Sequence, residues 1–545
     1  IRLYFLSLSK LISINIKKIY HKSNHYNKRI NEEAVTRINY FPSSFLLNSL
    51  LLNNNETYKI PKLAFEEIWE QNNNDGKEYN NLHNFLWLNK VDRKENIDLL
   101  QNLLKSWIYN FNNYHNKAWS FEIIGNRIIA WLSNANILIK NSDENFKKIF
   151  FQSIIKQTNH ITRNIKSIPF SNKRLICCSA IILSGLAFKE KYINLKLGNK
   201  ELDKFISNYY DKNGFPLTRN PEDVLISLKY LVLIREWLKE AKEVIPENLN
   251  KIIYNCGSCF EFFINSQKKL PLFNGSTDLF FGEYQKFLVN LKYKFQCKET
   301  EKSGYLKINN KKIHVFFDGG DVPKNYFSNS YQAGCLSFEI ISNGCKLITN
   351  SGFGKFYSKN ILDISRSTAA HSALYLNNQS SCVFSKNKII DLVFGKVVNY
   401  KCNILKKGIK EDNNNFTIEA EHDGYKKKFG YIHNRKLKFH KEEKFFTGQD
   451  TLILKKKRLN DVTFSIRFHL SPNTKATKTQ DGKSVLISLE NGEGWIFKSE
   501  NEKIYIEKSL FFGGKKNILN CENIAIVGIT KNEDKSINWS LKKIS

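Results

Sequence analysis

Residues Ile97–Phe111 (IDLLQNLLKSWIYNF) show the pattern that determines the fold of the first half of the chain. Their apolar side chains recur every three or four positions, as on the buried face of an amphipathic helix. The stretches Ile123–Ile139 and Leu175–Phe188 are similar, and a further helix, through Val224–Leu238, opens with Pro221 at its first position. Several amphipathic helices in series predict a helical toroid or solenoid.

The second half of the chain changes to a period of two near Lys298. Residues Val462–Leu470 (VTFSIRFHL) alternate apolar and other side chains, which predicts a strand with one buried face. The pairs Asn309-Asn310, Asn343-Gly344 and Asn491-Gly492 separate further alternating runs and predict hairpins. We therefore expect an α+β multidomain chain: an extension over 1–60, a toroid over 61–297 and an antiparallel β-sandwich over 298–545.

The composition indicates a globular protein with a basic surface. The 545 residues include 84 Lys+Arg against 52 Asp+Glu, a net charge of +32. Such a surface attracts polyanions, although an even coat of solvated lysines would need no ligand. Zinc-finger spacings, aromatic RNA-binding motifs and glycine-rich phosphate loops are not recognisable in the sequence, so we expect no nucleic-acid partner.

The cysteines and the apolar segments limit the remaining classes. Ten Cys are scattered without a dense disulfide framework, and Cys256 and Cys259 form a lone CxxC that is redox-active, metal-binding or simply helical. Residues 1–26 lack the features of a signal peptide. The longest apolar run, Leu175–Phe188, is too short to span a bilayer, so we expect a soluble protein without stable membrane insertion.

Five short motifs follow one another along the chain: Gly125–Trp131 (GNRIIAW), Tyr331–Glu339 (YQAGCLSFE), Arg366–Leu374 (RSTAAHSAL), His422–Tyr425 (HDGY) and Arg467–Pro472 (RFHLSP). In order and spacing they resemble the bacterial heparinase II/III family and the related alginate lyases. The resemblance implies an α/α toroid, an incomplete barrel of helical hairpins, followed by a heparinase II/III-like β-sandwich. It also implies a location in the cell envelope or periplasm, with the cytoplasm left open because no export signal is evident.

The resemblance implies a polysaccharide lyase that cleaves a uronate polymer, either a glycosaminoglycan or an alginate-like chain, by β-elimination between the two domains. The reaction requires a group that neutralises the uronate carboxylate. The family's Asn-His pair falls on Asn172 and Lys173, so lysine replaces the histidine, and Arg174 follows. The alternative is that Asn172 caps a helix and the two cations are solvated.

A lyase also requires a base and an acid, which are commonly Tyr or His. Glu222 and Asp223 stand where the family's catalytic tyrosine is expected. The nearby Tyr230 is the candidate for that catalytic role, with core packing in its apolar run as the alternative. His371, on the strand that the resemblance predicts, is the preferred catalytic residue of the sandwich, with a buried core histidine as the alternative.

Further residues are candidates by their type and position. The predicted substrate contacts are Arg127, Arg174, Arg219, Asn274 and His469, and Arg suits carboxylates or sulfates because it binds them in a bidentate way. The family needs no cofactor for the reaction. His371, Asp391 and His422 would suit a structural Zn²⁺ that ties strands together.

Two readings of function remain open at this stage. The first is the lyase. The second is a non-catalytic protein on the same scaffold that binds a polyanionic carbohydrate or assists envelope polysaccharide assembly, which the missing tyrosine and the altered Asn-His pair favour.

Overall fold

The computed structural model describes residues 2–31, 35, 37–51, 68–69, 76–91, 97–514 and 517–544. The predicted limit between the extension and the toroid, at residue 60, lies outside these ranges. Within them, every helix is either too short or too polar to cross a membrane.

The N-terminal half is helical, as predicted. The helices are α1 (Arg2–His21), α2 (Asn24–Ile30), α3 (Ser44–Leu51), α4 (Gly76–His83), α5 (Ile97–Phe111), α6 (Phe121–Leu138), α7 (Glu144–Asn164), α8 (Asn172–Ala187), α9 (Tyr192–Tyr209), α10 (Pro221–Glu240), α11 (Glu247–Phe262) and α12 (Gly282–Asn290). Pro221 begins α10, and the side chain of Asn220 caps it by accepting a hydrogen bond from the Glu222 amide at 2.9 Å.

Close approach of the toroid helices depends on small residues. A Cβ atom on Gly125 of α6 would lie 2.7 Å from Ile176 of α8, and one on Gly185 of α8 would lie 2.3 Å from the Leu195 backbone of α9. Both distances are shorter than packed atoms tolerate, so glycine lets α6, α8 and α9 pack in direct contact. Helices α6 and α8 are almost entirely buried, because each contacts neighbours on both sides, whereas α9 buries one face.

The C-terminal half is a set of antiparallel strands. They are β1 (Glu301–Lys302), β2 (Tyr305–Asn310), β3 (Ile313–Asp318), β4 (Phe338–Ser342), β5 (Cys345–Ile348), β6 (Leu374–Leu376), β7 (Val383–Phe384), β8 (Val398–Tyr400), β9 (Ile404–Glu411), β10 (Asn415–His422), β11 (Tyr431–His440), β12 (Phe445–Leu454), β13 (Val462–His469), β14 (Lys475–Lys478), β15 (Ser484–Ser488), β16 (Gly494–Ser499), β17 (Lys503–Phe511), β18 (Leu519–Thr530) and β19 (Lys535–Lys543). Three short helices interrupt them: α13 (Lys359–Ser365), α14 (Lys388–Phe394) and α15 (Lys426–Phe429).

The strands form a layered sandwich. Strands β1 to β5 form one sheet in sequence order, an eight-stranded sheet has the order β14-β15-β16-β19-β12-β11-β10-β9, and a four-stranded sheet has the order β17-β18-β13-β6. Strands β7 and β8 pair separately. One apolar core joins residues from the three larger sheets. This confirms the predicted toroid and β-sandwich.

The first sheet is the layer that joins the two halves. Leu306 and Phe317 face the core of the sandwich, whereas their neighbours Tyr305 and Phe316 pack into the core of the toroid. Strand side chains alternate between two faces, so a sheet between two apolar layers is buried on both. The burial of all six residues of β3 follows from this position.

Three local predictions need correction. The first hairpin turns at Lys311 and Lys312, just beyond the predicted Asn309-Asn310. Of the predicted strand Tyr331–Glu339, only the last two residues are in β4. His371 follows a short 3₁₀ helix and precedes β6, so it is extended but outside the strand. In the first case the alternating pattern located the strands but not the turn between them. The other two predictions rested on motif resemblance, which indicated a nearby strand without fixing the residue at which it begins.

Candidate functional site

A cavity of about 730 Å³ lies where α1, the toroid and two loops of the sandwich meet. The toroid contributes the end of α7 and the starts of α6 and α8, and the sandwich contributes Tyr326 and the end of α14. We call this cavity the cationic cleft. Its lining residues include Lys10, Lys17, Lys18, His21, Tyr114, Trp119, Phe121, Glu122, His160, Lys166, Phe170, Lys173, Arg174, Tyr326, Val393 and Phe394.

Basic side chains from two directions give the cleft its charge. Lys10, Lys17 and Lys18 come from α1, and Lys166 and Lys173 come from the facing toroid. Lys173 is 65% exposed, and its nearest acid is Glu122 at 3.5 Å. A pair so exposed is weak, and an anionic ligand can compete for the lysine. The cleft therefore presents several cations to a ligand and few acids.

Aromatic rings are interleaved with these cations. The guanidinium of Arg174 stacks on Phe170 at 4.3 Å, and the ammonium of Lys10 lies 4.6 Å from the ring centre of Phe394. Tyr114 and Trp119 line the same wall. A flat ring beside a cation suits a sugar that has an apolar face and a charged substituent.

A buried Tyr-His pair closes the inner wall of the cleft. The hydroxyl of Tyr26 and Nδ1 of His160 share a hydrogen bond of 2.8 Å, and Asn164 donates to the same hydroxyl at 3.1 Å. Burial lowers the pKa of His160 to about 3, so the ring is neutral near pH 7. Sequence reasoning missed this pair because its members are 134 positions apart and their helices meet only in the fold.

Asn172 and Asp223 form a polar cluster beside the cleft. Asn172 begins α8 next to Lys173, and its amide donates to Asp223 at 2.8 Å. Thr218 donates to the other carboxylate oxygen of Asp223 at 2.6 Å, and Ser227 donates to the Asn172 carbonyl at 3.0 Å. Burial raises the pKa of the Asp223 carboxyl to about 6. The helix-cap interpretation of Asn172 is wrong, because Ser171 occupies the cap position.

A second acid in the first turn of α10 connects the domains. Glu222 accepts hydrogen bonds from the backbone and the hydroxyl of Thr277 at 3.1 and 2.8 Å, and it pairs with Lys355 of the sandwich at 3.0 Å. Its carboxylate oxygens are thus engaged by the protein itself. Of the two acids that replace the expected tyrosine, Asp223 is the one that contacts Asn172.

The predicted contacts within the toroid differ in their placement. Lys173 and Arg174 line the cleft, although Arg174 also pairs with the buried Glu201 at 2.7 Å. Arg127 is fully buried and donates to the Gln157 side chain and to two backbone carbonyls, so it stabilises the toroid interior. Tyr230 is also buried and donates to Asn126 at 2.6 Å. Neither Arg127 nor Tyr230 is among the residues that line the cleft.

Arg219 and Asn274 belong to a buried network between the domains. Arg219 pairs with Asp318 of β3 at 2.7 Å and donates to the Gly320 carbonyl at 3.1 Å. Asn274 donates to the second oxygen of Asp318 at 2.9 Å and to the Tyr305 hydroxyl at 2.7 Å. Their predicted substrate contacts have no support in this arrangement, since the same donors hold the sandwich against the toroid.

The two histidines predicted for the sandwich site are enclosed. Nδ1 of His371 bonds to the Ser367 carbonyl at 2.8 Å, and Nε2 of His469 bonds to the Ala369 carbonyl at 3.0 Å. They are 1% and 2% exposed. Burial lowers the pKa of His371 to about 4 and that of His469 to about 3. Neither lines the cationic cleft.

The residues proposed for zinc do not form a site. His422 bonds to His433 at 3.2 Å, and His433 bonds to Asp450 at 2.7 Å. Within the described ranges, no group of three or more His, Cys, Asp or Glu has a geometry that could hold a metal. The set His371, Asp391 and His422 therefore does not fit Zn²⁺ in this structure.

Comparisons with known proteins agree with this architecture. Residues 295–540 match the family model described as heparinase II/III-like, C-terminal. FtsZ-localized protein C of Caulobacter vibrioides is 23% identical over 435 residues, which cover 75% of this chain and 72% of that protein. Two solved structures share the fold over most of both chains.

The first of these structures is heparinase III, with a TM-score of 0.68 and 13% identity over 95% of this chain and 88% of that one. The second is heparan sulfate lyase HepC from Pedobacter heparinus, with a TM-score of 0.62 and 12% identity over 92% of this chain and 82% of that one. Likeness at this level of identity concerns the fold, and function requires a separate argument from the site.

Proposed function

We propose that this chain binds an acidic polysaccharide in the cationic cleft, because residues 295–540 match the heparinase II/III-like C-terminal model and the fold is similar to that of heparinase III. The observation that supports this most directly is the combination of cations and aromatic rings around one cavity. Uronate carboxylates or sulfates would pair with Lys166 and Lys173, and sugar faces would pack on Tyr114 and Trp119. The net charge of +32 would attract such a polyanion over longer distances.

The test is fluorescence anisotropy with labelled fragments of alginate, hyaluronan and heparan sulfate at a fixed salt concentration. A hydrogen bond to a charged group contributes about 1.5 kcal/mol, so each lost contact weakens binding about tenfold. We expect that loss for Lys173→Ala and a further one when Lys166→Ala is added. The control is Lys503→Ala, because this lysine is exposed on β17 and does not line the cleft.

Equal weakening of binding by Lys173→Ala, Lys166→Ala and Lys503→Ala would contradict the proposal, since it would show that an even lysine coat attracts the polymer. Undetectable binding of every fragment by the folded wild type would also contradict it.

We propose β-elimination as the second candidate, and the Asn172–Asp223 contact is the observation that favours it. A carboxylate with a pKa of about 6 can accept a proton near neutral pH, and Asn172 and Lys173 stand where the family's carboxylate-binding pair is expected. Asp223 would take the proton next to the uronate carboxylate. His371 has no route to that step in this arrangement, because it is enclosed in the sandwich.

The assay is the ultraviolet absorbance of the unsaturated uronate product. We expect Asp223→Asn to abolish product formation and leave anisotropy binding intact, whereas His371→Ala affects the reaction only as far as it affects folding. Binding without product on every polymer would leave the non-catalytic alternative, and a lyase that tolerates Asp223→Asn would exclude Asp223 as the base.

We propose further that the protein acts at the cell envelope. Support comes from the polymer class and from the name of its relative, FtsZ-localized protein C. A fluorescent fusion that concentrates with FtsZ at the division site would support this location, and a diffuse signal throughout the cell would contradict it.

A further inference from the structure

Three buried cysteines meet below the loop that closes one side of the cationic cleft. Cys382 directly precedes β7, Cys402 follows β8 by two residues, and their sulfur atoms are 3.6 Å apart. Cys335 makes a side-chain contact with Cys402. The three side chains are at most 3% exposed. We call this group the thiol cluster, with Cys402 in contact with both other thiols.

The thiol cluster lies at the base of a hairpin that carries α14. Residues 385–397 connect β7 to β8, and Val393 and Phe394 at the end of α14 line the cleft. Phe394 contacts Lys10 of α1, and the Lys396 carbonyl accepts a hydrogen bond from Arg366 at 2.7 Å. A covalent bond at the base of this hairpin would therefore restrain the residues that the hairpin contributes to the cleft.

The pairing of β7 with β8 holds the two cysteines close together. Val383 and Tyr400 are paired across the two strands, so Cys382 lies beside the chain segment that contains Cys402. A bonded sulfur pair is about 2 Å apart, so the two sulfurs must approach by about 1.6 Å, which side-chain rotation can supply. In contrast, Cys256 and Cys259 of α11 contact different backbone carbonyls, those of Val224 and Asn213.

We propose that Cys382 and Cys402 are a disulfide-forming pair, and that Cys335 is a third thiol able to replace Cys382 as the partner of Cys402. The oxidant is a small-molecule disulfide such as oxidised glutathione. One cysteine thiolate attacks it to give a mixed disulfide and one reduced glutathione. The second cysteine thiolate then displaces the other glutathione, and the two thiol protons end on the two released glutathiones.

Burial sets when this reaction occurs. Hydrogen bonds between the thiols, together with burial, raise the pKa of the Cys382 and Cys402 thiols, so little thiolate forms in the packed protein. Exchange therefore proceeds when the hairpin opens or before it packs, and the bond is shielded once formed. Formation of this disulfide concerns the hairpin alone and does not depend on polysaccharide binding.

The test uses the full chain, equilibrated with oxidised glutathione or with dithiothreitol. Each sample is denatured and alkylated with N-ethylmaleimide, and the adducts are counted by mass spectrometry. We expect the oxidised protein to carry two adducts fewer than the reduced one, with a peptide crosslink between Cys382 and Cys402. Cys256→Ser, outside the thiol cluster, should show the same loss and the same crosslink.

Two further variants separate the roles of the three thiols. Cys382→Ser should still lose two adducts, now through a crosslink between Cys335 and Cys402. Cys402→Ser should lose none, and Cys402→Ala serves if the serine variant does not fold by circular dichroism. Equal adduct numbers in oxidised and reduced wild type would overturn the proposal, as would a crosslink outside the thiol cluster or a loss of two adducts without Cys402.

Discussion

Removing the charge of Asp318 should loosen the attachment of the sandwich to the toroid. Asp318 is 1% exposed and pairs with Arg219 at 2.7 Å, and Asn274 donates to its second oxygen. Asp318→Asn keeps the shape but leaves the Arg219 guanidinium buried without its counter-charge. Breaking a buried pair in this way costs about 3–5 kcal/mol, which is a factor of more than a hundred in the folding equilibrium.

The measurement is urea unfolding followed by tryptophan fluorescence. The matched control is Glu507→Gln, because Glu507 pairs with Arg467 at 3.1 Å with both side chains a quarter or more exposed. An exposed pair contributes about 0–1 kcal/mol, so the control should unfold close to the wild type. Equal stability losses in the two variants would refute the argument that Arg219 serves as a buried domain link, and would return it to the candidates for substrate binding.

Two other outcomes test the burial of the predicted site residues. Burial lowers the folded-state pKa of His371 and His469 below 6.5, so the unfolded chain binds more protons and stability falls as the pH drops from about 6.5 toward 4. Each histidine should contribute about 2 kcal/mol to that loss of stability at pH 5. Thermal melts at pH 7 and pH 5 can measure it. A His371→Asn variant whose stability depends on pH as in the wild type would contradict this expectation. Tyr230→Phe removes the hydrogen bond to Asn126, so it should cost about 1 kcal/mol of stability and leave polysaccharide anisotropy unchanged; weakened binding would place Tyr230 in the site.

Much of the architecture could be predicted because it rests on short-range patterns. The helix over Ile97–Phe111 has the predicted bounds, and the strand over Val462–Leu470 appears as β13 with one residue fewer. Asn343-Gly344 forms the turn expected of it, with both residues at positive φ. Periodicity and turn chemistry act over a few residues, so the sequence contains the information. Hairpin ends such as Lys311-Lys312 were less predictable, because a lysine can also adopt positive φ.

The residues of the candidate site were less predictable, because contacts between segments far apart in the chain bring them together. Lys173 and Arg174 were identified from motif position, and both line the cleft. The lysines of α1 were not identified, although the basic amphipathic segment at the start of the chain could have indicated them. Only the fold shows that this segment packs against α14 and completes the cavity.

The buried arginines explain why residue type misled the prediction of substrate contacts. Arg127, Arg219 and Arg366 are all buried, and each donates to backbone carbonyls of segments distant in sequence. A guanidinium has five donors, so it can join several chain segments where a lysine could not. A buried linking arginine and a substrate-binding arginine therefore look alike in sequence. In this protein the exposed cations of the cleft are mainly lysines, and the arginines hold in place the elements that present them.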